Sequence, residues 1–118
     1  MQISMLPKEL PNLTHLDIAV HMQTATEVGG DYYDFIKTNR DDQAGLAIVV
    51  GDVSGHGVSS ALLMATARAL IMLRAYMPGE AAKIISDVNR LVSTDTIETS
   101  QFMTLLFLVV EAQTGQIT

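Results

Sequence analysis

The sequence predicts an α+β fold: antiparallel strands come first, a long helical hairpin follows, and a further strand comes after the helices. Three observations predict it. Runs of strand length, either alternating or wholly apolar, fill the chain up to Val50. Apolar residues then recur at helical spacing without punctuation from Val58 to about Met77, and again from Glu80. Phe102 to Val110 is the most strand-like segment of all.

In chain order, the apolar stretch ending at Pro7 resembles the last turn of a helix, and a loop around Pro7, Pro11 and Asn12 follows. Leu16 to Ala25 alternates, with Ile18, Val20 and Met22 on one side and Asp17, Ala19, His21 and Gln23 on the other, which predicts a half-buried strand. Gly29-Gly30 breaks that pattern, and Asp31 to Ile36 begins a second strand. The polar run Thr38 to Gln43 is expected to turn the chain into Leu46 to Val50, a short apolar run between glycines that predicts a central strand. That strand delivers Asp52, after which Val53 to Gly57 turns the chain again.

The long helix carries Leu62, Ala65, Ala69 and Leu73 on an apolar side, and Pro78-Gly79 ends it. The second helix carries Ala81, Ile84, Ile85, Val88, Leu91 and Val92, so each helix has a stripe to bury and the pair is expected to pack as a hairpin over a sheet. Thr94 to Ser100 reads as a polar loop, and Thr114-Gly115 as a hairpin turn after the last strand. A long apolar strand without its hairpin partner presents unpaired backbone groups, so self-association through that open strand is expected.

The bulk properties narrow the function classes. A chain of 118 residues with 48% hydrophobic content is long enough for one domain with a core. Its formal charge of -6, with only 7 Lys plus Arg, argues against nucleic acid as the partner and leaves carboxylates free to attract cations. The absence of cysteine excludes disulfides, thiolate nucleophiles and cysteine-ligated zinc, and fits a cytoplasmic location. No run approaches the roughly 20 apolar residues of a membrane span, so no membrane partner is expected.

Two carboxylates stand out. Asp31 follows two glycines and enters a strand, and Asp52 ends another. Should those strands be neighbours, the two acids converge, and convergent carboxylates repel unless a hard divalent cation lies between them. Oxygen-only ligation suits Mg2+ or Mn2+ better than zinc. Glycines at 51, 55 and 57 let backbone groups point inward, and the carbonyl of Val53 is a candidate further ligand. Ser54 and Ser59 are candidate caps for the long helix. Taken singly, Gly-Gly-Asp and Asp-x-Ser-Gly are ordinary turns.

The order Glu27-Val28-Gly29-Gly30-Asp31-Tyr32-Tyr33-Asp34-Phe35, then Val49-Val50-Gly51-Asp52-Val53-Ser54-Gly55-His56-Gly57-Val58 with Ser60-Ala61-Leu62-Leu63-Met64, then Phe102-Met103-Thr104, closely resembles the SpoIIE/RsbU-type branch of the PPM (PP2C-like) serine/threonine phosphatases. The resemblance implies an αββα sandwich, present here in part, and hydrolysis of phosphoserine or phosphothreonine by metal-activated water. It implies that Asp52 bridges two Mn2+ or Mg2+ ions, that the Val53 carbonyl completes one of them, and that Asp31 contacts the cluster directly or through water. Residues 1–118 then correspond to the N-terminal part of the domain, before the later segments that hold the second metal, and this chain alone is expected to have little activity. The resemblance also implies a phosphorylated protein substrate, such as an anti-anti-sigma-type regulator, and an upstream sensor or receiver domain. A non-catalytic binding module with the same fold is the alternative. Gly51 to Gly57 as an ATP cradle ranks last, because it lacks the Gly-Lys-Ser/Thr ending of a P-loop.

Other candidates have ordinary readings. His56 is expected to be a turn residue, while His15 and His21 fit a loop and a polar strand side. Arg68 and Arg74 do not share a helix side and do not form a phosphate clamp. Asp87, Asp95 and Glu98 are expected on solvated surface rather than as metal ligands.

Overall fold

The computed structural model describes residues 6, 7, 9–13, 16–23, 30–40, 43–55, 58–77, 79–96 and 100–118. The element order is β1 (Asp31–Arg40), β2 (Gln43–Val53), α1 (Val58–Tyr76), α2 (Ala81–Thr96) and β3 (Met103–Glu111). The strands form one antiparallel sheet in the order β1-β2-β3, so β2 is central. This is the α+β architecture read from the sequence, one sheet with a helical hairpin on one face, and it corresponds to part of an αββα arrangement.

Alternation decides which face is closed. Tyr32 and Ile36 of β1, Ala47, Val49 and Val53 of β2, and Val109 of β3 point toward the helices and are buried with Met64, Ile71, Ile84 and Val88. The opposite face carries Tyr33, Phe35, Ile48, Val50 and Leu106, and is far more open: Val50 is 51% and Leu106 54% exposed. Tyr33 and Phe35 meet edge to face there, with centroids 6.1 Å apart.

The expected strand over Leu16–Ala25 is not formed in its described part. Residues 16–23 join no ladder, and Leu16 makes only an isolated bridge with Leu13. Alternation reports a half-buried face, but a strand also needs a backbone partner. Ile18 to Gln23 instead border the groove on the open face of the sheet, which half-buries Ile18 and Met22 without hydrogen-bond pairing. Leu6, at the end of the expected leading helix turn, packs against the core, while residues 1–5 lie outside the described residues.

Several boundaries move. The turn expected over Thr38–Gln43 contracts, because β1 runs to Arg40 and β2 starts at Gln43. Thr38 is buried opposite Gly45, where its hydroxyl fills the space a side chain on Gly45 would need, so the ladder continues past it. Helix α2 extends into the expected polar loop as far as Thr96. The hydroxyls of Thr94 and Thr96 donate to the carbonyls of Arg90 and Ser93, 3.1 and 3.4 Å away, which satisfies them inside the helix. Beyond β3 the predicted hairpin turn is present: Gly115 has φ 73°, the left-handed conformation that glycine adopts without strain. Thr118 and Val109 then exchange backbone hydrogen bonds of 2.8 and 2.9 Å, so the outer edge of β3 is paired at its end and open over its earlier part among the described residues.

Asp87 is a correction too. It does not stand alone in solvent: Arg74 Nε of α1 lies 2.8 Å from its carboxylate, with Lys83 Nζ at 3.1 Å and Arg90 at 3.7 Å. The Arg74 and Lys83 hydrogen bonds hold its carboxyl below the ordinary value. Because the folded value lies below the unfolded one, this stability is present at neutral pH and is lost as pH falls through the depressed value. Acid unfolding followed by circular dichroism is therefore expected to show a stabilising contribution in the wild type that is missing in Asp87→Asn, with the two proteins converging in stability at the acid end.

Candidate metal site

Asp31 and Asp52 are register partners across β1 and β2. The Val53 N–H donates to the Gly30 carbonyl at 3.0 Å, which makes Gly30–Val53 a hydrogen-bonded pair. By the alternation of an antiparallel ladder, Asp31–Asp52 is then a non-hydrogen-bonded pair, the kind in which opposed side chains stand closest, with Cα atoms about 4.5 Å apart. Both side chains project from the open face, at the end of the sheet where the chain turns toward α1. The convergence anticipated from the sequence is thus a direct cross-strand pair.

Each neighbour of this pair is fixed by a specific feature. Gly30 is buried, and a Cβ there would collide with the carbonyl oxygen of Val53, so only glycine lets β1 lie against the turn after Asp52. On the other side of β2, Ser54 N–H donates to the Phe102 carbonyl at 2.8 Å, and the Ser54 hydroxyl accepts from Phe102 N–H at 3.0 Å. Ser54 therefore clamps the start of β3, and among the described residues its hydroxyl makes no cap on α1. The hydroxyl of Ser60, buried in the first turn of α1, donates to the Ser54 carbonyl at 3.1 Å, and Thr104 donates to the Asp52 carbonyl at 3.4 Å. The turn bearing Val53 is tied to β1, β3 and α1 at once.

The electrostatics follow from the register. Burial first, and the facing Asp52 carboxylate second, push the Asp31 carboxyl above its ordinary value. Two like charges set directly opposite destabilise a sheet pair. Beside them lies a groove of about 810 Å3, lined by Tyr33, Phe35, Val50, Leu106 and the segment Ile18–Gln23. His21 borders this groove and is exposed, while His15 and His56 lie outside the described residues.

Sequence reasoning missed the other side of β1. Asp34 is only 5% exposed and faces the helices. Its Oδ2 accepts from the buried Tyr32 hydroxyl at 2.7 Å and lies 3.3 Å from Arg68 Nε of α1, while its Oδ1 accepts from Phe35 N–H at 2.9 Å. Burial, then the hydrogen bond to Asp34, raise the Tyr32 phenol above its ordinary value. The signal was available: Tyr32 and Asp34 are two apart on a strand and share a face, and a carboxylate on the face toward the helices needs a cation from a helix.

The donors at the site are two carboxylates and the neighbouring Val53 carbonyl, all hard oxygens that suit Mg2+ or Mn2+. They fit part of a divalent centre. Among the described residues no group of three or more His, Asp or Glu gathers around a common point, so the set does not reach a full shell. No helix among the described residues is long and apolar enough to cross a membrane.

Comparisons with known proteins decide the lineage. A sequence profile of the SpoIIE family, Stage II sporulation protein E, matches residues 42–118. The chain belongs to the SpoIIE family, in the SpoIIE/RsbU branch of the PPM phosphatases. It is 37% identical over 91 residues to protein IcfG of Synechocystis, covering 75% of this chain and 14% of IcfG. It is 26% identical over 107 residues to the phosphoserine phosphatase RsbU of Bacillus subtilis, covering 91% of this chain and 30% of RsbU. The chain thus spans a minor part of the length of both relatives. In fold it is similar to the RsbU and RsbW domains of Rv1364c from Mycobacterium tuberculosis, with a TM-score of 0.60 and 24% identity over 80% of this chain and 25% of that one. The SpoIIE match includes Asp52 and Val53 and begins after Asp31, whose place in the site comes from the ladder register.

Removing one charge of the pair is expected to stabilise the metal-free chain. Asp52→Asn should raise its unfolding free energy in urea at neutral pH by about a few tenths of a kcal/mol, a small value because both side chains are exposed. A raised folded value subtracts stability where the carboxylate is ionised, so the gain should fade as the pH falls and Asp31 takes up its proton.

Proposed function

We propose that residues 1–118 form the N-terminal part of a PPM-type phosphatase domain, and that the intact protein hydrolyses phosphoserine or phosphothreonine on a signalling regulator protein. The observation that carries this reading is the Asp31–Asp52 pair, two carboxylates facing each other across β1 and β2 beside an open groove. Asp31, Asp52 and the Val53 carbonyl hold Mn2+ or Mg2+, with the remaining ligands of a two-metal centre coming from segments beyond the described donor set. Bound there, the ions supply Lewis-acid activation of water and neutralise charge on the phosphoryl oxygens.

The protein's own residues bind and orient. β1 and β3 flank the central strand that carries Asp52, and the Ser54–Phe102 and Ser60–Ser54 bonds keep the Val53 turn in place. No side-chain nucleophile is needed, which agrees with a chain lacking cysteine. The membership in the SpoIIE family and the likeness to a phosphoserine phosphatase support this substrate class. An anti-anti-sigma-type regulator as substrate, an upstream sensor or receiver domain and a cytoplasmic setting complete the proposal.

A second reading, a non-catalytic binding module with the same fold, draws on the absence of a third acid near the pair among the described residues. Metal titration separates the two. Under the phosphatase reading, Mn2+ at about a hundredfold excess over its Kd should stabilise this chain by about 2.7 kcal/mol in thermal unfolding. Asp31→Ala and Asp52→Ala should abolish the effect, and in the intact protein Asp52→Ala or chelation should reduce hydrolysis of a phosphoserine peptide to background. Equal Mn2+ responses in wild type and Asp52→Ala would count against the phosphatase and favour the binding module.

A further inference from the structure

We propose that Arg68 of α1 is a positioning residue for Asp31, acting through the buried pair Asp34 and Tyr32; this rests on reading Asp31 as a metal ligand. The network lies directly behind the carboxylate pair. Tyr32 follows Asp31 in the chain, and its register partner Gly51 precedes Asp52, so the Tyr32 ring stands on the helix-facing side of the backbone that carries both acids.

On its β2 side the strand end is held by the ladder and by the Val53–Gly30 hydrogen bond. Asp31 is preceded by Gly29 and Gly30, which have no side chains to pack. By the ladder alternation, the backbone groups of Asp31, Tyr33 and Phe35 point away from β2, toward the outer edge of β1. Asp34 reaches around to that edge: its Oδ1 accepts the outward Phe35 N–H, while Oδ2 accepts the Tyr32 hydroxyl. One carboxylate thus fixes both the edge of β1 and the aromatic side chain next to Asp31.

Asp34 keeps that orientation because of Arg68. A carboxylate only 5% exposed needs a cation, and Arg68 Nε lies 3.3 Å from Oδ2. The contact is an ion pair, and Arg68 Nε makes no hydrogen bond among the described residues. Only the Asp34 side of the pair is buried, the Arg68 side chain being 35% exposed, and an ion pair with a desolvated member is often no more stabilising than an apolar pair of similar volume, so stability alone gives little reason for charges here. Fixing one geometry for the strand end is the physical account that these contacts supply. Without Arg68, Asp34 keeps the Tyr32 and Phe35 donors but loses its cation, so turning out toward water, away from both donors, competes with the native orientation.

The test compares Arg68→Met, Arg68→Lys, Tyr32→Phe and Arg74→Met in this chain. Arg74, on the same helix as Arg68, pairs with Asp87 of α2 and controls for general destabilisation. Two readouts are taken below the unfolding transition: amide hydrogen exchange in metal-free protein, and Mn2+ affinity by calorimetry. Arg68→Met is expected to speed exchange at Tyr32 and Val53 more than at Ile36, and to weaken Mn2+ binding by roughly tenfold, the lower end for a residue outside the ligand shell. Arg68→Lys should recover most of both, Tyr32→Phe should show a smaller loss of the same kind, and Arg74→Met should leave both unchanged. Should Arg68→Met fail to fold, Tyr32→Phe carries the test. Wild-type Mn2+ binding with no selective change in the Arg68 and Tyr32 variants overturns the positioning role and leaves the metal site standing. Absence of Mn2+ binding in the wild type overturns the metal site itself, and the positioning role with it.

Discussion

Two carboxylates facing each other from adjacent strands are the constraint on which the rest of the structure depends. A like-charged pair at a non-hydrogen-bonded position opposes the ladder that creates it, and the facing Asp52 adds to desolvation in raising the Asp31 carboxyl above its ordinary value. An isolated β1–β2 hairpin would relieve the repulsion by fraying at that end. Here it cannot fray freely, because Val53 is bonded back to Gly30, Ser54 to Phe102, and Ser60 to Ser54. The strain is held by neighbours, as expected where a site is arranged for a ligand that is itself charged.

Helix α1 reaches this end of the sheet from two directions. Ser60, in its first turn, holds the turn that follows Asp52, and Arg68, two turns later, holds the strand that follows Asp31. Arg74, near its end, reaches Asp87 of α2 instead. The two arginines of the helix therefore serve different neighbours, one the sheet and one the second helix. The outward surface of α1 is left with Leu62, Leu73 and Tyr76, all exposed.

Much of this was legible in the sequence where a single physical rule governs the outcome. The central strand, the helical hairpin and β3 followed from apolar periodicity, and the Asp31–Asp52 convergence followed from placing each acid at a strand end. The rule failed where it reported only half of a requirement. Leu16–Ala25 alternates like a strand, but period two says nothing about whether a backbone partner is available. Ser54 stands where a helix cap is expected, yet its hydroxyl goes to Phe102, a partner 48 residues away that no local pattern reveals. Asp34 was read only as part of a motif, although its two-residue spacing from Tyr32 put both on one strand face and only the helix that meets that face makes the charge buried. Asp87 was read as solvated for the same reason, since Arg74 lies on a different element.

The two faces of the sheet set the conditions for the chemistry. On the closed face Tyr32, Asp34 and Arg68 engage one another amid a largely apolar core. On the open face the aromatic and aliphatic side chains of Tyr33, Phe35, Val50 and Leu106 lie directly beside the carboxylates. A second layer over such a face removes water from one side of the acids, which strengthens their attraction for a cation and also their mutual repulsion. Covering the face without supplying a cation is therefore unfavourable, and supplying a cation without further ligands leaves its shell open to water. A second layer that covers the face and also brings ligands would meet both demands together, so under the proposed phosphatase reading ion binding and closure of the apolar face would reinforce each other.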